Sequence, residues 1–168
     1  MIKNQNLLRP LNQLTIFKLG NHSNQEVDRL RLNVRQKSKQ CLRWIQEYGD
    51  TQDFVDLVNV GYGKVTCISL STAGGFGEEK EEEIGNVLDN IYNFLREQHK
   101  GRSDRQPSFQ PLPLLARITE EQIEEEGANE EMEAQMINNV QIFALSGSIK
   151  SYANLTKAQT LNRFIHRR

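Results

Sequence analysis

The sequence predicts a helix-rich α+β domain with a small sheet and two long amphipathic helices, and three observations predict it. Two stretches, residues 23–48 and 78–99, repeat apolar residues at the three- and four-residue intervals that line one face of a helix. Residues 64–72 alternate between two sides in the manner of a strand, after a glycine break. The 168 residues suit one domain, and 37% hydrophobic content with a mean hydropathy of -0.64 calls for a lean core under a wet surface.

Taken in order, residues 14–19 read as a short strand before the first long helix. Ser23 and Glu26 form a capping box at the start of that helix, each side chain satisfying an orphan amide. Val27, Leu30, Val34, Cys41, Ile45 and Tyr48 then mark its apolar stripe, with Trp44 beside it. Gly49 ends it, in the left-handed conformation glycine adopts without a Cβ clash. A shorter helix is expected over 53–60, before the break at Gly61-Tyr62-Gly63. The strand over 64–72 looks buried on both sides. Past Gly74, Gly75 and Gly77 the second long helix carries Ile84, Val87, Leu88, Ile91, Phe94 and Leu95 on one stripe. Its acidic first turn and basic end suit the helix dipole.

Three prolines with Gly, Ser and Asp mark residues 101–113 as a linker, because proline removes an amide donor and excludes helix. Beyond it, helices are expected over 119–126, with Thr119 and Gln122 as a capping box, and over 129–138, separated by Gly127. A strand at 140–145 and a last amphipathic helix at 155–165, bearing Leu155, Leu161, Phe164 and Ile165, complete the chain. The organisation is thus a main core at 1–100, a linker, and a 114–168 segment packing back on that core. Val27, Leu30, Val34, Ile45, Ile84, Leu88, Ile91 and Leu95 are expected to pack together.

The net charge of -1 conceals blocks of opposite sign: +4 over residues 1–77, -10 over 78–139 and +5 over 140–168. Such blocks suggest either pairing of the ends with the middle or two distinct partner surfaces, and they argue against a chain-wide nucleic-acid footprint. No stretch approaches the ~18 apolar residues of a membrane span, and the N-terminus lacks the apolar stretch of a secretory signal. The expected setting is intracellular, in the cytoplasm with access to the nucleus. Cys41 and Cys67 lack zinc or disulfide-framework spacing and read as buried packing residues. His22, His99 and His166 have no partner at metal-ligand spacing, and no serine nucleophile motif occurs. Neither a catalytic constellation, a metal site nor a cofactor is expected. Asn154-Leu155-Thr156 matches a glycosylation acceptor, and Thr156 is better read as a helix-start residue.

Three surfaces remain as candidates. The basic face of the first helix, with Arg29, Arg31, Arg35, Lys37, Lys39 and Arg43, could neutralise several phosphates of an RNA. Leu8, Leu11, Leu14 and Ile16 follow an L-x-x-L-x-x-L-x-I spacing that resembles the leucine-rich export signal of retroviral export regulators. The resemblance implies a protein that shuttles between nucleus and cytoplasm, with apolar anchors seated in a receptor groove. The run from Leu70 through Ser71, Thr72, Ala73, Gly74, Gly75 and Phe76 to Gly77 resembles the phosphate-cradling loop of macro domains. That likeness implies nucleotide or ADP-ribose binding at Gly74, Gly75 and Gly77, although five glutamates in the next six residues would repel a diphosphate. The leading expectation is a non-enzymatic regulatory protein, of the viral accessory type, that acts through a protein partner. RNA binding comes second and nucleotide binding third.

Overall fold

The computed structural model describes residues 5–16, 25–73, 78–142 and 147–161. Among these, eight helices and one two-stranded antiparallel ribbon form. Helix α1 spans Gln5–Thr15, α2 Gln25–Tyr48, α3 Thr51–Asn59, α4 Tyr62–Ala73 and α5 Glu78–Lys100. Then come α6 (Pro113–Glu125), α7 (Ala128–Gln135), the ribbon β1 (Gln141–Ile142) and β2 (Gly147–Ser148), and α8 (Ile149–Leu161). Ser23 and the glycines at 74, 75 and 77 lie outside the described residues.

Local chemistry sets several of the helix ends. Asp50 caps α3: its carboxylate accepts from the amides of Gln52 and Asp53 at 2.9 and 3.1 Å. Asp53 returns the bond by accepting from the Asp50 amide at 2.9 Å, which completes a capping box. Gly61, at φ +76°, separates α3 from α4 with a left-handed residue that a side chain would strain. Pro113 opens α6 at a position whose amide has no partner in any helix.

Helix α5 is the spine. Ile84, Leu88, Ile91 and Leu95 face one core with Leu70 of α4, Ile123 of α6, Met132 of α7 and Ile149 and Ala153 of α8. Phe94, a third of a turn away, faces a second core made by Leu8 of α1, Leu42 of α2, Phe54 and Leu57 of α3, Tyr62 and Phe109. Phe94 stacks on Phe54 at 5.2 Å and meets the Tyr62 ring edge-on at 5.1 Å. The apolar stripe read from the sequence of this helix is therefore its buried face.

Four elements differ from the sequence reading. Residues 64–72 are helix: α4 is covered by α1, α3, α5, α6 and α7, and Val65, Thr66, Cys67, Ser69 and Leu70 are all buried. Lys64, Ile68 and Ser71 line its outer side, and because an isoleucine sits in the middle of that stripe the run carries no clear polar period and also fits a strand. Leu14 and Thr15 end α1, leaving no strand among the described residues of 14–19. Helix α6 begins six residues before the expected start, so Thr119 is buried in mid-helix instead of capping it. Helix α8 likewise begins at Ile149; Thr156 lies inside it, donating to the carbonyls of Leu88 at 3.0 Å and Tyr152 at 2.7 Å, and Leu155 is exposed.

Residues 101–112 contain no helix, as their prolines require. They fold as a hairpin on the second core, where Arg102 and Phe109 pair through both backbone bonds, at 2.8 and 2.9 Å, with their side chains buried. Leu112 then donates its amide to the Gln98 carbonyl at 2.7 Å. Gly49 does end α2, though not with a left-handed backbone. A Cβ there would stand 2.3 Å from the Ile45 carbonyl oxygen, so close approach is what requires glycine.

Candidate interaction surface

Helix α2 turns the opposite way from the sequence expectation. Its buried positions are Ser38, Leu42 and Gln46, while Val27, Leu30, Val34, Cys41, Trp44 and Tyr48 face solvent. Leu30 and Trp44 are each 56% exposed and Tyr48 66%, values far from those of a core stripe. Ile45 is half-buried against the second core, so of the first helix's expected core partners only Ile45 reaches it. The inward polar residues hold the helix by directional bonds. Gln46 donates to the Asn90 carbonyl at 3.3 Å, and Arg35 donates to the Thr15 carbonyl at 3.2 Å.

The six cations proposed for nucleic-acid binding divide between the two faces. Lys39 pairs with Glu83, and Arg43 reaches Asp89 at 3.2 Å, both on α5. Burial pushes the Asp89 carboxyl above the ordinary carboxylate range, and the Arg43 guanidinium only partly offsets that. Arg31 pairs with Asp28 at 3.6 Å on its own helix. Arg29 is exposed, and so is Lys37, which lies 3.4 Å from Gln40. The basic block is thus answered in part by the acidic middle of the chain. Lys64 with Glu126 and Lys157 with Glu133 repeat the pattern elsewhere.

Between α2 and α5 these ion pairs bridge an open groove of about 830 Å³. Leu32 and Trp44 line its α2 side, Glu82, Glu83 and Asn86 its α5 side, and Val87 its floor. A mainly basic α2 wall facing an acidic α5 wall leaves the groove near charge balance, which suits a peptide better than a polyanion.

The end of the groove is fixed by a buried cluster that nothing in the sequence singled out. Arg102 is fully buried, and its guanidinium donates to the carbonyls of Gln46 at 2.7 Å and Gly49 at 2.9 Å and to the Glu97 carboxylate. It lies 5.4 Å from the Phe54 ring centre and 4.9 Å from that of Phe109. Glu97, itself buried, also accepts from Arg105 at 2.6 Å. The planar fork of one arginine therefore ties α2, α5 and the 101–112 hairpin together. Its place among Gly, Ser, Asp and Pro gave it the appearance of a linker residue.

The remaining candidates are placed as follows. Leu8 is buried in the second core, with Leu11 packed against that cluster and Leu14 and Ile16 half-buried, so the export-like spacing faces the protein's own interior. Gly74, Gly75 and Gly77 lie outside the described residues, and the segment before them is α4, where a macro-domain loop would follow a strand. Cys67 is buried as expected, its thiol pushed up to about 12 by burial, whereas Cys41 is exposed on the outer face of α2. His99 Nε2 lies 2.9 Å from a buried Glu120 oxygen. Among the described residues no group of three His, Cys, Asp or Glu could hold a metal ion, and no helix is long and apolar enough to cross a membrane. No protein-family model, no curated protein and no solved structure matches this chain.

Proposed function

We propose that this is a non-enzymatic interaction protein that docks a partner helix on the outer face of α2. The observation that carries the reading is the exposed stripe of Val27, Leu30, Val34, Trp44 and Tyr48 on one helix. Single exposed apolar residues are ordinary on any surface, but five at helical spacing along about six turns make a patch of the kind that marks protein contacts. Amphipathic helices pair through such i, i+3, i+4, i+7 anchors. The two aromatic residues at the C-terminal end are of the types enriched where binding energy concentrates.

RNA binding has less support, because Lys39 and Arg43 are held by α5 carboxylates and would have to give up those pairs to meet phosphates. The reading also needs no export receptor, since packing of Leu8 and Leu11 accounts for that spacing.

A photo-crosslinking residue placed at Leu30 tests the proposal in the protein's own cellular setting. Discrete protein adducts are expected from position 30, abolished by Val34→Asp and unaffected by ribonuclease. The same residue placed at Asn129 on α7 is the control. Equal adducts from both positions, or adducts that ribonuclease removes, would refute docking on this face.

A further inference from the structure

We infer that the partner helix is α2 of a second copy of this chain, the two helices lying parallel. The inference rests on the docking role of the outer face and adds the occupant. The stripe alternates strictly by three and four: Val27, Val34, Cys41 and Tyr48 fall at one position of a seven-residue repeat, Leu30, Lys37 and Trp44 at the other. That is the spacing of a two-stranded coiled-coil seam, and its first heptad, Val27, Leu30 and Val34, has the valine-then-leucine order that favours two strands in a parallel coil. Lys37 supplies a polar seam residue, of the kind that sets register at some cost in stability.

Charge decides the direction. In a parallel pair Glu26 of each copy meets Arg31 of the other, on both sides of the two-fold axis, which puts opposite charges in contact twice. In an antiparallel pair of the same register Glu26 would face Glu47, and like charges repel. Glu26 and Arg31 both exchange existing contacts within the chain for the parallel pairing, Arg31 its 3.6 Å pair with Asp28. The seam is not covered by the fold, because α1 packs along the Arg35 and Leu42 side of α2 and the α5 groove opens on the other. The contact is isologous and closes on itself, so it makes a dimer and not a fibre.

Cys41 provides the decisive reading. A parallel seam sets the two Cys41 thiols opposite each other, while the antiparallel register that faces Glu26 with Glu47 sets Cys41 across from Leu32, nine residues from the other Cys41 and roughly 13 Å along the helix. Diamide oxidation of the full chain, in which two thiols give one disulfide and the reagent takes up two protons and two electrons, should give a disulfide-linked dimer. It should persist in Cys67→Ser and vanish in Cys41→Ser. Sedimentation equilibrium without oxidant should give twice the 19.4 kDa chain mass. Leu30→Asp should weaken that association at least about ten-fold. Glu26→Arg should weaken it too, and Glu26→Arg with Arg31→Glu should restore it. A dimer without the Cys41 disulfide overturns the parallel arrangement. A monomer at high concentration overturns self-pairing altogether: adducts from position 30 to another protein then leave the docking role standing, and their absence removes both.

Discussion

Replacing Arg102 by methionine should cost this protein a large share of its stability, although the residue lies in a segment that looks like a linker. Methionine keeps the unbranched stem between Phe54 and Phe109 and removes only the guanidinium. The carbonyls of Gln46 and Gly49 then lose their donor, and Glu97 loses one of its arginines. Breaking a buried pair costs ~3 to 5 kcal/mol, and each orphaned buried carbonyl about 1 to 3 kcal/mol, contributions that overlap because they share one cause. Arg105 still donates to Glu97 at 2.6 Å and keeps that carboxylate from standing alone. The expected loss is therefore about 3 to 4 kcal/mol, on the order of 10 °C in melting temperature for a chain of this size. Urea unfolding followed by far-UV circular dichroism measures it. Arg102→Lys, which keeps a charge without the fork, should lose part of that amount and supplies a folded variant should the methionine one fail to fold. Arg117→Met is the reference, since its 3.0 Å pair with Glu121 is exposed and should contribute under ~0.5 kcal/mol. An Arg102→Met midpoint no lower than that of Arg117→Met would refute the reasoning.

Three further outcomes follow from the same structure. Leu88→Ala should cost ~2 to 5 kcal/mol and Leu30→Ala, in dilute protein, under ~0.5 kcal/mol, because the first is fully buried and the second more than half exposed; equal denaturant midpoints would show α2 to be turned wrongly. Gly49→Ala should destabilise by about 1 to 3 kcal/mol, since its Cβ would stand 2.3 Å from the Ile45 oxygen, whereas an ordinary glycine at a helix end would tolerate alanine; a neutral thermal melt would contradict this. A thiol reagent at mildly alkaline pH should find one reactive cysteine in the folded protein and two in denaturant. The folded state holds the Cys67 proton up to about 12, so its stabilisation is complete below the ordinary thiol value of ~8.5 and fades as pH rises from there; Cys67→Ala should flatten that alkaline loss.

How far the sequence could be read depended on how many sides of a helix are buried. Helix α5 buries one stripe, and its period showed both the helix and its inner face, down to Phe94. Helix α4 does have an outer stripe, Lys64, Ile68 and Ser71, but its middle residue is apolar while Thr66 and Ser69 are buried, so polarity did not mark the period of 3.6 and Val65, Thr66 and Ile68 drew the reading toward a strand. Helix α2 has a clear apolar stripe, but a period says only that such a face exists. It cannot say that Ser38 and Gln46 take the inside through hydrogen bonds while Val27 and Leu30 are left outside. The charge blocks were legible and their pairing was anticipated in kind, though not the division that commits Lys39 and Arg43 and leaves Arg29 exposed. The Arg102 cluster was illegible because its partners, Gln46, Gly49 and Glu97, lie in two other elements and two of the contacts are to backbone oxygens.

The hairpin at 101–112 also bears on what happens when the chain is cut. A protease that opens the exposed residues Ser103 or Asp104 severs the polypeptide at its least regular point, yet the flanking pieces remain joined at Arg102, Phe109 and Leu112. Beyond the cut, α8 covers α5 and α6 covers α4, so each half supplies the wall that the other's apolar residues need. Two separately produced polypeptides divided here would each expose a core face alone and would gain their fold by meeting. The site that reads as a boundary is thus one where cutting is expected to leave two fragments that share their cores, a result that co-expression of the two pieces would check.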